Sequence, residues 1–141
     1  MAAFTKFFSF VENIAEKVHD LGADTLKIML TNVAPTTGDT VKANLTEIAA
    51  GNGYTAGGTA VTISSSAQTA GEYKLVGTDV AFTASGGTIG PVRYVVLYND
   101  TPTSTADPLI GWWDYGSSIS LLDTETFTVD LSASSGILTL T

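Results

Sequence analysis

The sequence has no cysteine among its 141 residues, which excludes disulfide bonds and thiol chemistry. Charged residues are also scarce, since they make up 14% of the sequence, against about 25% in typical soluble proteins. Six basic residues face fourteen acidic ones, for a net charge of −8. The basic residues are scattered, so the chain lacks the positive patch with which proteins bind nucleic acids or anionic membranes. We therefore expect no nucleic-acid partner and no membrane partner.

Long hydrophobic runs are missing as well. No segment approaches the ~20 apolar residues of a membrane-spanning helix. The N-terminal segment is apolar, but Glu12 and Glu16 interrupt it and it has no basic start, so we do not expect a secretory signal. The length suits a single domain over residues 1–141 with a sizeable core.

Residues 1–22 predict an amphipathic helix. Thr5 is the expected N-cap and Gly22 the expected end. Such a helix must bury its apolar stripe on a sheet or on a neighbouring subunit. The stripe follows spacings of three and four residues, through Phe4, Phe7, Phe8, Val11, Ile14, Ala15, Val18 and Leu21.

After Gly22 the apolar pattern alternates with a period of two, which is typical of β-strands. Regular short strands with polar turns predict an antiparallel β-sandwich or jelly-roll-like barrel over residues 25–141. The segment 33–58 is predicted as a long loop, with a helical turn indicated only at LTEIAA, and loops of this length are often functional or contact arms. The eight predicted strands are 25–32, 59–65, 72–77, 79–84, 91–99, 109–115, 125–131 and 136–140.

Two adjacent tryptophans, Trp112 and Trp113, lie in the predicted strand 109–115 and must point to opposite faces of its sheet. The predicted strand 91–99 also has apolar residues on both faces, which indicates a central strand covered twice. One of its faces carries Val92, Tyr94, Val96 and Tyr98, and the other carries Arg93, Val95 and Leu97. We expect one indole in the core between the sheets and the other against the helix or a partner.

Candidate catalytic residues are few. His19, the one histidine, is interpreted as a cation at a helix end or a solvated side chain. Acidic residues near turns are expected to bind local backbone or stay solvated rather than form a catalytic or calcium-binding group. These residues are Asp100, Asp107, Asp114, Asp123 and Glu125. No nucleophile elbow, EF-hand or phosphate-binding loop occurs, so we expect no enzyme, no cofactor and no metal.

The segments FVENIAEKVHDLGADTLKIMLTN, EIAAGNGYTAGG, GPVRYVVLYNDT and PLIGWWDYGSS resemble a group of small virion structural proteins of tailed bacteriophages. The resemblance covers nearly the whole chain, and it is one of overall pattern rather than of a catalytic motif. It implies a head decoration, or cement, protein that is made in the host cytoplasm and stabilises capsomer contacts on the outer capsid surface. The implied partners are the major capsid protein and further copies of the chain, as a homotrimer.

The N-terminal helix or the long loop (33–58) is expected to make these contacts, because a sandwich alone requires neither. A receptor- or glycan-binding module of a head fibre or tail is the alternative, and a glycan hydrolase is a third hypothesis. The predicted interface residues are Phe4, Phe7, Phe8, Val11, Trp112, Trp113 and Tyr115.

Overall fold

The computed structural model describes residues 2–141. It is mainly β, with 46% of residues in strands and 8% in helices, and this confirms the predicted fold class. A 3-10 turn at Lys42–Asn44 lies in the long loop. The elements are β1 (Phe4–Lys6), α1 (Phe8–Ala15), β2 (Leu26–Thr31), β3 (Thr59–Ala60), β4 (Ile63–Thr69), β5 (Glu72–Gly77), β6 (Val80–Thr83), β7 (Ile89–Asn99), β8 (Leu109–Leu121), β9 (Thr126–Val129) and β10 (Leu138–Leu140).

The strands form three antiparallel sheets. The main sheet has the order β1-β8-β7-β2-β3, and the smaller ones are β10-β5-β4 and β6-β9. The larger hydrophobic core lies between the main sheet and the two smaller sheets, as in a sandwich. It joins Leu30, Val95 and Trp113 of the main sheet to Leu75 of β5 and Phe82 of β6, among others.

A smaller core covers the opposite face of the main sheet. It contains Phe7, Met29, Val96, Tyr98, Leu109 and Trp112, with Leu45 of the long loop packed against it. The prediction that strand 91–99 is covered on both faces is therefore confirmed. The predicted faces differ at Val92, which belongs to the larger core with Val95 rather than to the smaller core with Val96. A register shift between Val92 and Tyr94 explains the difference, since a bulge inserts an extra residue into the alternation.

The two tryptophans separate as their positions in a strand require. Trp113 enters the larger core, where its ring lies 5.1 Å from that of Phe4. Trp112 enters the smaller core, 4.6 Å from the ring of Phe7, the residue directly before α1. Trp113 is 7% exposed and Trp112 is 9% exposed, so both indoles are buried within the chain. The expectation of one indole in the core between the sheets is confirmed for Trp113. Trp112 lies in the smaller core against Phe7 rather than against the helix itself, whose buried residue Phe10 belongs to the larger core.

The predicted helix over residues 1–22 is too long. Thr5, the expected N-cap, lies in β1, where it pairs with Trp112 of β8. The helix begins after Phe7 and ends at Ala15, well before Gly22. Residues 4–6 are extended because the edge of β8 offers them backbone hydrogen bonds, a long-range partner that no local periodicity reveals.

The shorter helix also buries different residues from those predicted. Phe8 and Val11, both in the predicted stripe, are 69% and 50% exposed. Phe10, which the stripe omits, is the one residue of α1 that is fully buried. With eight residues, α1 is the longest helix within residues 2–141, so no helix there could cross a membrane.

The strand bounds agree closely with those predicted, with two larger differences. The predicted strand 59–65 is divided into β3 and β4, and β8 continues six residues past 115, to Leu121. The helical turn of the long loop lies at Lys42–Asn44, directly before the predicted LTEIAA, which is not helical.

Candidate functional site

The predicted interface residues divide into a buried group and an exposed group. Three are exposed, namely Phe8, Val11 and Tyr115. The other four pack into the two cores, namely Phe4, Phe7, Trp112 and Trp113. Sequence reasoning missed two further exposed apolar residues, Val33 and Leu122. Leu122 had a readable signal, because it follows Leu121 directly and adjacent extended residues point to opposite sides.

Phe8 and Val11 form an apolar patch on α1, here called the helix patch. They are three residues apart, so they lie on the same side of the helix. The backbone N–H of Phe8 donates a hydrogen bond to the carbonyl oxygen of Thr37 at 2.9 Å, which attaches the start of the helix to the long loop. The helix patch therefore lies on a surface that the helix and the loop form together.

The long loop is held on the sheet by a partly buried acid, Glu47. The Glu47 carboxylate accepts hydrogen bonds from the Tyr54 hydroxyl at 2.7 Å and from the Gly57 N–H at 2.6 Å. It also forms an ion pair with Lys42 at 3.1 Å. Burial raises the pKa of Tyr54 far above its usual range, so the phenol remains a protonated donor. These bonds assign Glu47 a structural role.

Further hydrogen bonds attach the same loop at separate points. The Tyr98 hydroxyl donates to the carbonyl oxygen of Gly57 at 2.6 Å. The Thr31 hydroxyl donates to the carbonyl oxygen of Thr46, and the N–H of Ile48 binds the β2 backbone. The long loop is thus a docked cover of the main sheet, and only its outer surface is available for contacts.

His19 is buried, so its interpretation as a solvated side chain or a helix-end cation was wrong. Only 6% of the residue is exposed, because the chain turns back after α1 and places the imidazole beside the Phe10 ring. The side-chain amide of Asn99 lies 3.1 Å from Nδ1 of His19 and 2.6 Å from Oδ2 of Asp24. Since an amide nitrogen donates, Nδ1 accepts and the proton of the neutral ring is assigned to Nε2. This Nε2 is buried and has no hydrogen-bond partner among residues 2–141.

Acidification is expected to destabilise the fold through His19. Burial lowers the pKa of His19, although the nearby charge of Asp24 acts in the opposite direction. An unfolded histidine titrates near pH 6.5, so the unfolded chain takes up the proton first. The stability contributed by neutral His19 is thus complete above that pH and is lost as the pH falls through the lower folded pKa. The free energy of unfolding of His19→Gln should therefore fall less between about pH 7.5 and about pH 5 than that of the parent.

Urea unfolding of both proteins at several pH values measures this difference. Carboxylates are shared by the two proteins, so their titration cancels in the comparison. Equal slopes of stability against pH would contradict the buried neutral state of His19.

The Asp114 and Glu125 carboxylates accept hydrogen bonds from local backbone N–H groups, those of Gly116 and Leu122, as predicted. Asp123 binds the distant N–H of Gly86, and Asp114 also has a basic partner, neither of which was predicted. The Asp114 carboxylate makes two hydrogen bonds with the Arg93 guanidinium, at 2.8 and 3.0 Å, and these lower the pKa of Asp114. Asp123 and Glu125 accept backbone N–H bonds at 2.9 and 2.7 Å. Residues 2–141 contain no group of three or more histidine, cysteine or acidic side chains placed to hold a metal ion.

Two open grooves flank Trp113. One, of about 620 Å³, lies between β1 and β10, and the other, of about 490 Å³, lies beside β9 and Tyr115. Their linings are mainly apolar, and each contains one charged residue, Lys6 in the first and Asp130 in the second. Neither groove, as lined by residues 2–141, therefore offers the two carboxylates that a glycosidase commonly places across its substrate.

No protein-family model matches the chain, and neither a curated protein nor a solved structure matches it. Its function must therefore be inferred from its own residues.

Ionisable side chains among the described residues help to hold the fold, and several apolar side chains remain at the surface. The ionisable groups with clear partners are engaged in hydrogen bonds or ion pairs that hold the fold, as at Glu47 and Asp114. Large apolar side chains are nevertheless left exposed, and two of them are adjacent on α1. Exposed apolar groups of this kind supply anchor points in protein interfaces.

Proposed function

We propose that the chain is a non-enzymatic bacteriophage structural protein, namely a decoration protein that binds the outer surface of the capsid and stabilises contacts between capsomers. The observation that carries the proposal is the helix patch, exposed beside a long loop that hydrogen bonds hold in place. The resemblance of the sequence pattern to small virion proteins supplies the kind of partner, the major capsid protein.

The surface chemistry is consistent with this role. A net charge of −8 disfavours adhesion to DNA, which a virion protein meets during assembly. Two exposed side chains make a small contact, well below the ~1,200–2,000 Å² of a stable interface, unless neighbouring loop atoms join it. Many copies on one particle compensate for weak single contacts, since linked sites gain from high effective concentration.

The test is binding of the purified protein to capsids of the phage that encodes it, stripped of their own copies. We expect the double variant Phe8→Ser/Val11→Ser to lose at least about tenfold in affinity, because each change removes an apolar anchor. The matched control is Leu122→Ser, which removes a similarly exposed apolar side chain outside the helix and the long loop and should bind normally. Co-sedimentation measures the binding of both variants. Absence of binding by the parent, or a loss of affinity in Leu122→Ser equal to that in Phe8→Ser/Val11→Ser, would contradict the proposal.

A glycan-binding module is the second candidate, because one groove has aromatic walls. Tyr115 is exposed and its ring lies 5.4 Å from that of Phe127, edge to face, at the groove beside β9. Exposed aromatic rings can stack on sugar rings. Trp113 lines the same groove, so a bound glycan should change tryptophan fluorescence. Saturable changes that Tyr115→Ala abolishes would favour this candidate over capsid decoration.

A further inference from the structure

Strand β4 lies at the edge of its sheet, and most of its residues are exposed. Within residues 2–141 its one ladder partner is β5, so its other side carries backbone N–H and C=O groups without a strand partner. Six of its seven residues are exposed, and Ile63 alone packs against the larger core. Its partner β5 is held by β10 and by the burial of Leu75 in the larger core, so β4 is the exposed rim of an otherwise supported sheet.

The usual protections of an edge strand are weak here. Edge strands are commonly blocked by charged side chains, by proline or by bulges. Residues 48–71 contain no charged residue at all, and β4 contains no proline. A register shift disturbs the ladder between Ile63 and Ser65, but the pairing from Ser65 to Thr69 is regular. Five consecutive residues are therefore available as a template for another strand.

We propose that β4 pairs antiparallel with β4 of a second copy of the chain, about a two-fold axis at Ala67. The two β10-β5-β4 sheets then join into one six-stranded sheet, and the pairing closes because each copy uses its free edge once. In this register Ser65 faces Thr69 of the second copy and Ser66 faces Gln68. A Ser–Thr pair such as Ser65–Thr69 can exchange hydrogen bonds across an antiparallel ladder. The Ser66 hydroxyl already bonds the Tyr73 hydroxyl, and the Gln68 side-chain oxygen accepts from the N–H of Gly71.

The lack of charge around β4 permits a second copy as the occupant, and the antiparallel register makes the edge complementary to itself. Two molecules that each carry −8 repel one another over most of their surfaces. The uncharged segment 48–71 lets two copies meet at β4 without like charges directly opposite each other. The nearest charged residue along the hairpin is Glu72, which in this register lies at the outer end of the paired segment.

The contact is small, so the dimer is weak. Five paired residues bury far less than the ~1,600 Å² of a standard interface, so we expect association only at high protein concentration. The inference goes beyond capsid binding and does not depend on it. It also specifies two-fold pairing at this edge, in contrast to the homotrimer that the resemblance implies.

Disulfide trapping tests the pairing directly, because the chain has no cysteine of its own. Directly opposite residues in an antiparallel ladder have Cα atoms about 4.5–5.5 Å apart, within the span of a disulfide. Ala67→Cys should therefore form a covalent dimer under mild oxidation. The matched control is Ala81→Cys, which places a thiol at an exposed position of β6 and should cross-link at least about tenfold more slowly.

Sedimentation equilibrium up to about 1 mM provides the second measurement. The parent should show reversible dimers, and Ala67→Lys, which places two like charges across the axis, should remain monomeric with an unchanged circular dichroism spectrum. Ala81→Lys, with the same change of charge, should dimerise like the parent. A parent that stays monomeric, a trimer, or a dimer that Ala67→Lys leaves intact would overturn the proposal. None of these measurements uses a capsid, so their failure is distinct from a failure of capsid binding.

Discussion

Replacing Phe7 with alanine is expected to lower the free energy of unfolding by about 3–5 kcal/mol, whereas the same change at Phe8 should cost less than about 0.5 kcal/mol. Phe7 is fully buried and packs against Trp112, so its truncation leaves a cavity in the smaller core. Phe8 is 69% exposed, and its removal leaves no cavity. Urea unfolding followed by tryptophan fluorescence measures both values.

This pair of variants distinguishes the observed N-terminus from a continuous helix over residues 1–22. In that helix Phe7 and Phe8 belong to the same apolar stripe, so both truncations would be costly. In the structure, β1 and the late start of α1 bury the Phe7 side chain and leave the Phe8 side chain exposed. Equal losses of stability in the two variants would contradict the structure.

Gly58→Ala is expected to cost more than about 3 kcal/mol or to prevent folding. Gly58 has φ of +78°, a left-handed conformation that disfavours side chains. An added Cβ would also overlap the carbonyl oxygen of Ile28 in β2. That oxygen belongs to the backbone of a central strand, so relief of the overlap would displace the pairing of β2 with β3. Thermal unfolding of the purified variant, or its yield of soluble protein, measures the effect.

Gly71→Ala is the matched control for this prediction. Gly71 has a similar φ of +85°, in the turn between β4 and β5, but an added Cβ there would meet no atom within 4 Å. It should therefore cost only the backbone strain, about 1–2 kcal/mol. A Gly58→Ala variant as stable as Gly71→Ala would contradict the prediction, because it would show that β2 can shift to accommodate the added methyl group.

Most of the β architecture could be predicted from the sequence, because alternation of apolar and polar residues is a local signal. Strand β5 has the predicted bounds 72–77, and β7 is buried on both faces as its pattern indicates. The strand β1 could not be predicted, since three residues carry too short a pattern and their partner β8 is about a hundred residues away. The helix was overestimated for the same reason, because Phe4 fits a helical period as well as an extended one.

The candidate site was less predictable than the fold, because exposure depends on long-range packing. Helical spacing alone predicts that both Phe7 and Phe8 are buried. Only the path of the chain past β8 shows that Phe7 is buried and Phe8 is exposed. The environment of His19 is formed by Asn99, 80 positions further along the sequence. No spacing rule connects such distant residues, so the burial of this imidazole emerges only from the assembled structure.

The placement of the two indoles has a consequence for how the molecule melts. Trp112 and Trp113 occupy different cores, yet they are consecutive residues of one strand and share its backbone. Strands β7 and β8 contribute side chains to both hydrophobic cores. Neither core can therefore unfold without disturbing the strands that support the other. The chain should consequently behave as a single cooperative unit, with both cores lost in one transition.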